Sequence, residues 1–407
     1  MTVADPTLDG VGTRKHQWLL CFALFAVAYS AQGVSPVMLL YTRELELSTT
    51  MLTVFFTVYA VGLMGAFLIG GPLSDRRGRK PVILASMYLL LASLVALLGA
   101  AAWGEPMVLA ARFVQGFASG AVFTVGTVWL RELSGTSQAA GAATRASAFQ
   151  ALGFGVGPLL SSLLVQWLPL KEILTVLVIL ALVVAAVVVT RRLPESMTQA
   201  RPGRIQIGLP AGTSTGFFWY LVPCGLAVYS FAMLSVLAFP IQIGHAGFGQ
   251  VYVILGISAF IVQVGAAAAS VYAKKLGPAT SGWLAGLTGA AGCGFGILAV
   301  QPGGWLWVLP ATALLGFGCG LAMTSGVRVS DLLAPPERRG ALLSMFYVIV
   351  YLGYSSGTIM SLIWGPRTLE LPEAIAGLGI MAALLALILA GPGRVLVRRA
   401  AAEATRP

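Results

Sequence analysis

Long apolar runs, separated by short polar or Gly/Pro-rich connections, fill almost the whole chain. Most run to about 20 residues or more, the length a helix needs to cross roughly 30 Å of hydrocarbon. The runs and their breaks predict spans at 17–41, 49–72, 81–103, 106–131, 142–168 and 171–191, then at 218–243, 249–273, 278–300, 304–330, 340–364 and 372–393. The pattern is that of an all-α polytopic membrane protein, with little chain left over for a soluble domain.

Composition supports this reading. Of 407 residues, 58% are hydrophobic and only 10% charged. A net charge of +11 could suggest nucleic acid, but the placement of the bases has another cause. If the N-terminus is cytoplasmic, 21 of the 25 Lys and Arg fall in inside segments, while only Arg43, Lys171 and Arg367 fall outside and Arg112 lies within a span. Such an asymmetry sets orientation by the positive-inside rule and puts both termini in the cytoplasm. No nucleic-acid partner is expected. The first span follows Arg14 and Lys15 and ends near small residues, as a signal peptide would, but its removal would leave an odd number of spans.

The four cysteines lie inside apolar runs without metal-type spacing, and the two histidines lie near run ends. Neither a metal site, a cofactor nor nucleophilic chemistry is expected, so the chain does not read as an enzyme.

The longest polar connection runs from Arg191 to Gly216. It suggests a first bundle at 1–191, a cytoplasmic linker at 192–217 and a second bundle at 218–407. Small residues repeat across that divide: Arg112, Gly116 and Gly120 in span 4 against Gly316, Gly320 and Thr324 in span 10. Gly153, Gly157 and Ser161 in span 5 likewise answer Gly353, Gly357 and Ser361 in span 11. Rows spaced by four share one helix face and let helices approach closely in lipid. Repeated halves with a site between them are a transporter architecture. Spans 3, 6 and 12 are plain and read as supports, whereas the aromatic and polar spans 1, 2, 7 and 11 read as the lining of a path.

Between spans 2 and 3 stands "GGPLSDRRGRK", with Gly71, Asp75, Arg76, Gly78, Arg79 and Lys80 at defined spacings. This turn resembles the loop signature of the major facilitator superfamily. Arg112, Gln115 and Gly116 in span 4 resemble the family's Arg-x-x-Gln-Gly element. Gly153, Gly157 and Pro158 resemble its antiporter-type Gly-x-x-x-Gly-Pro element, although Ser161 and Ser162 replace the usual closing glycines. The resemblance implies twelve helices in two pseudo-symmetric six-helix bundles and transport by alternating access. It also implies that the loop latches the inner side, with Asp75, Arg76 and Arg79 joined by Glu132 and Arg145. A carboxylate at Asp75 would be favoured by an arginine or a helix N-terminus, the start of span 11 being the natural candidate.

Arg112 is the one charge inside the predicted bilayer. Either it snorkels to the outer interface or it faces a partner or wet cavity, where it would sense protons or orient an anion. No acid lies near a predicted midplane, and span 1 offers Tyr29, Gln32 and Ser35 instead. Further cavity or coupling candidates are Tyr59, Gln115, Tyr229, Gln242, Tyr347 and Tyr351. Gly153, Gly157, Pro158, Gly353 and Gly357 are candidate packing hinges. The expected function is export of small lipophilic or weakly polar molecules by proton antiport. An uptake permease or uniporter for a small, even anionic, metabolite is the alternative. The expected setting is a monomer among the lipids of a bacterial inner membrane.

Overall fold

A computed structural model describes residues 12–44, 47–197, 208–335, 338–365, 367–370 and 372–404. Part of the expected linker, 198–207, lies outside these. Among the described residues twelve helices are long and apolar enough to span a membrane, and no strand occurs. They are α1 Arg14–Glu44, α2 Thr49–Arg77, α3 Arg79–Leu98, α4 Trp103–Ser134, α5 Gly141–Trp167, α6 Lys171–Arg191, α7 Ser214–His245, α8 Val251–Leu276, α9 Pro278–Ala299, α10 Trp305–Leu333, α11 Arg339–Trp364 and α12 Pro372–Arg399. Helix α3 ends five residues earlier than the apolar pattern suggests. Gly99 caps it, and the helical stretch that follows turns again at Gly104, whose φ is +66°.

Burial sorts the helices by role. The central stretch of α1 is 89% buried, whereas that of α12 is only 33% buried. Leu177, Val184 and Val188 of α6 and Ile380, Leu384 and Leu387 of α12 are exposed. An apolar outer surface of this kind needs lipid rather than water against it.

Two compact units divide the chain. One comprises Met1–Val37 with Val61–Ile205, the other Met38–Ala60 with Gln206–Pro407. The end of α1 and the start of α2 thus go with the second unit, which a cut at the linker alone does not anticipate. Side-chain bonds inside that unit explain the assignment. Thr57 Oγ1 lies 2.9 Å from Thr358 Oγ1, which donates to Thr53 Oγ1 at 2.9 Å. Thr49 donates to Glu370 at 3.3 Å, and the Arg43 guanidinium lies over the Tyr252 ring.

Within each unit the glycine rows do the same job. In the first, a Cβ on Gly153 would stand 2.5 Å from the Phe25 carbonyl oxygen and one on Gly157 2.7 Å from that of Tyr29, so α5 lies directly on α1. In the second, Gly353 of α11 stands likewise 2.8 Å from the Leu226 carbonyl of α7. Gly120 of α4 meets the Leu63 carbonyl of α2 at 2.8 Å, and Gly316 of α10 meets that of Val262 in α8 at 2.7 Å. The internal repeat is therefore a repeat of helix contacts. Gly316→Ala is expected to force α8 and α10 apart and cost about 1–3 kcal/mol. Gly294→Ala, on an open face of α9, should be neutral or stabilise by a few tenths of a kcal/mol through helix propensity. Melting temperatures in detergent check both; equal shifts would refute the contact account.

Prolines shape α7 and α12. Widened π-helical turns occur at Phe217–Leu221, Leu234–Ala238 and Leu389–Gly393, next to or around Pro223, Pro240 and Pro392. A proline has no N–H for the carbonyl four residues back, and its ring crowds that carbonyl; a wider turn relieves the clash. Helix α11 is interrupted too, by a 3-10 turn at Gly353–Ser355.

Candidate functional site

The first unit carries a charged cluster at its basic turn. Helix α3 starts at Arg79 behind Gly78, whose φ of +96° suits glycine. With no side chain at that cap, the first N–H groups of α3 need an outside acceptor. Glu195 supplies it: Arg79 N donates to Oε1 at 3.1 Å and Lys80 N to Oε2 at 2.8 Å. A carboxylate is also favoured there by the helix dipole.

Arg79 joins the remaining acids. Its Nη1 reaches Asp75 Oδ1 at 2.6 Å and Ser74 Oγ at 2.5 Å, and its Nη2 reaches Glu132 Oε1 at 2.9 Å. Ser196 donates to Glu132 Oε2 at 2.5 Å. The arginine that meets Asp75 is thus its neighbour four residues on, across the break at Gly78. Arg76 is exposed, Lys80 is half-buried, and Gly71 faces open space. Arg145 stands apart from the acids, against the expectation: it donates to Gln17 at 2.8 Å and Ser134 at 3.2 Å. The reason is reach, because Arg145 lies on α5 beside α1.

The sequence reading passed over Glu195, Ser196 and Ser74. One signal was present: a glycine at the N-cap announces that the acceptor must come from elsewhere.

Arg112 is fully buried, which rules out the snorkelling alternative. Its Nη1 donates to Gln115 Oε1 at 2.6 Å and the Ala31 carbonyl at 3.4 Å, and Gln115 Nε2 donates to the Ser30 carbonyl at 3.0 Å. These carbonyls are accessible because the first half of α1 ends at Gly33 before the chain resumes at Ser35. The last carbonyls of a helix lack intrahelical partners and carry the negative end of its dipole. A broken helix accompanies the buried cation. Tyr29 is buried nearby in α1, and Gln32 accepts from Ser35 at 3.1 Å. Pro158 lies within α5 one residue past Gly157.

The second unit gathers aromatic rings. Tyr354, in the interruption of α11, and Tyr351 lie 6.3 Å apart and 14° from parallel. Tyr229 of α7 stacks on Tyr354 at 4.1 Å and on Tyr351 at 4.9 Å. Phe56 extends the row beyond Tyr354 at 6.5 Å and 15°. Tyr59 is buried, and Tyr347 adjoins Phe346. Gln242 is committed to the backbone, donating to the Leu369 carbonyl at 3.0 Å. Gly353 seats α11 on α7 at Leu226, and Gly357 faces Thr53. Among the described residues, the buried charges are Arg79 and Arg112, and no carboxylate is buried.

Similarity to known proteins is strongest in the fold. A transporter of the POT family, solved with 5-aminolevulinic acid, superposes with a TM-score of 0.77 at 12% identity, over 94% of this chain and 97% of that one. A mutant of the nucleoside transporter NupG gives 0.73 at 12% identity over 92% and 98%. A D-xylose-proton symporter gives 0.70 at 14% over 92% and 96%. In sequence, the multidrug resistance protein MdtL of Klebsiella pneumoniae (strain 342) is 32% identical over 120 residues, 28% of this chain and 30% of that protein. The multidrug transporter MdfA of Yersinia pestis bv. Antiqua (strain Angola) is 33% identical over 124 residues, 30% of each. These matches span less than a third of either relative. The family model described as Major Facilitator Superfamily matches residues 20–358, and with twelve spanning helices the chain is an integral, multi-pass membrane transporter belonging to the Major Facilitator Superfamily.

Proposed function

We propose that this transporter works by alternating access and exports small lipophilic or weakly polar molecules in exchange for protons. It does so as a monomer in a bacterial inner membrane, with both termini in the cytoplasm. The observation that carries this reading is the interior itself: a row of aromatic rings without a buried carboxylate among the described residues. Such a surface holds apolar compounds through area and stacking, and offers no counter-charge to a desolvated cation. The names of the partial relatives, both multidrug proteins, point the same way. Proton exchange is what the antiporter-type element at Gly153, Gly157 and Pro158 implies.

Uptake of an anionic metabolite with Arg112 as counter-charge is less well supported, because Gln115 and a helix end already hold that guanidinium. Everted vesicles distinguish the two. Lipophilic compounds should accumulate under an inward-acid gradient and leak out when an uncoupler collapses it. Equilibration that ignores the gradient would overturn the export reading.

A further inference from the structure

We propose that Tyr351 and Tyr354 form a flat platform for an uncharged planar aromatic ring of the cargo, and that Tyr229 occupies this platform until the cargo replaces it. The inference deepens the export reading and rests on it. Two near-parallel rings 6.3 Å apart present a tiled surface. One further ring, Tyr229, covers both at 4.1 and 4.9 Å, distances of direct stacking. A ring of similar thickness would make the same stacking contacts in its place, and would also have to replace the hydroxyl hydrogen bonds of Tyr229 with Tyr351 and Tyr354.

The backbone allows the exchange. Tyr229 lies in α7 between the π-helical turns Phe217–Leu221 and Leu234–Ala238, and Tyr354 lies in the 3-10 turn of α11. The α-helical stretch that carries Tyr229, Val222–Met233, is short and flanked by widened turns, and Tyr354 sits outside regular α-helix. Beside the cluster a small void is bounded by Ser230, Met233, Leu237, Ser356 and Met360. Methionines repack readily around a new shape. The void itself has room for no more than about one water, so Tyr229 moves only as these side chains repack around it.

The preference for a neutral ring follows from charge. A fixed cation gains less from a tyrosine face than it loses on burial without a counter-ion. Of the acids in the same unit, Glu370 accepts from Thr49 and Asp331 is exposed at the end of α10, so neither is placed as a counter-ion for a bound cation.

The test uses the full chain in lipid nanodiscs, with equilibrium dialysis against empty discs. Phenazine is the flat neutral probe, N-methylacridinium the flat cation of similar outline, and perhydroanthracene the saturated three-ring control. Phenazine should bind at least about tenfold more tightly than N-methylacridinium. Tyr351→Leu and Tyr354→Leu should each lower the phenazine-to-perhydroanthracene affinity ratio about tenfold, and Tyr354→Phe should restore it. Tyr229→Ala, which uncovers the platform, should tighten phenazine binding several-fold. A packing role alone would make Tyr229→Ala weaken it, which would overturn the proposal, as would equal binding of phenazine and N-methylacridinium. The charge comparison uses the unaltered chain, so it decides even where a variant fails to fold. Phenazine binding without gradient-driven accumulation would sink the export reading and spare the platform; gradient-driven export without a planar preference would do the reverse.

Discussion

Replacing Arg79 by methionine is expected to destabilise the first unit by about 2–3 kcal/mol and to lower its melting temperature by several degrees. Its side chain is only 10% exposed and holds Asp75 and Glu132 together. Removing one partner of a buried ion pair typically costs about 3–5 kcal/mol, because the other partner keeps its desolvation penalty. The two carboxylates are about a third exposed, 33% and 32%, so water recovers part of that loss and the lower figure applies. Glu132→Gln in the Arg79→Met background should then cost less than in the unaltered protein, since the repulsion it relieves is larger there. Additive effects in that cycle would show that the pair is not coupled. Glu195→Ala should cost about 1 kcal/mol as the loss of a helix cap, and Glu195→Gln less, because an amide oxygen still accepts.

A second large effect is expected at Arg112. Arg112→Leu should reduce gradient-driven flux at least about tenfold in protein that still inserts and purifies as a single species. The guanidinium sits against the end of a broken helix, and each hydrogen bond to a charged group is worth roughly 1.5–3 kcal/mol. Its loss lets the two segments of α1, Arg14–Gly33 and Ser35–Glu44, reorient around the break between them. Gln115 keeps its bond to the Ser30 carbonyl, so the fold itself should tolerate the change better than the flux does. Arg112→Lys should retain part of the flux, since it keeps the charge but not the planar donor pair. Full flux in the leucine variant, measured in the same vesicles, would remove Arg112 from the transport cycle.

Much of the architecture was legible in the order of residues. All twelve apolar runs became helices, most within a few residues of the expected bounds, because spanning a bilayer is a local requirement that each run meets alone. The glycine rows were legible for a related reason. A spacing of four marks one helix face, and a face without side chains can serve only a close neighbour. Which neighbour was another matter, and the pairing of α5 with α1 and of α11 with α7 came from the fold.

The polar chemistry was legible only as a set of candidates. Arg79, Asp75 and Glu132 were expected together and meet, whereas Arg145 was expected with them and binds Gln17 and Ser134 instead. Glu195 was read as part of a linker, yet it crosses 116 positions of sequence to cap α3. Arg112 offered two readings, and the break in α1, 81 positions away, decided between them.

The sequence by itself determined twelve apolar helical spans and an internal repeat, because hydropathy and face spacing act over one helix at a time. Only the tertiary structure decided what neutralises Arg112, what caps α3 and which tyrosines lie face to face. Those outcomes depend on where distant helices break and cross, on the carbonyls freed at Gly33 and on the turns widened beside Pro223 and Pro240, and no local pattern encodes a partner on another helix.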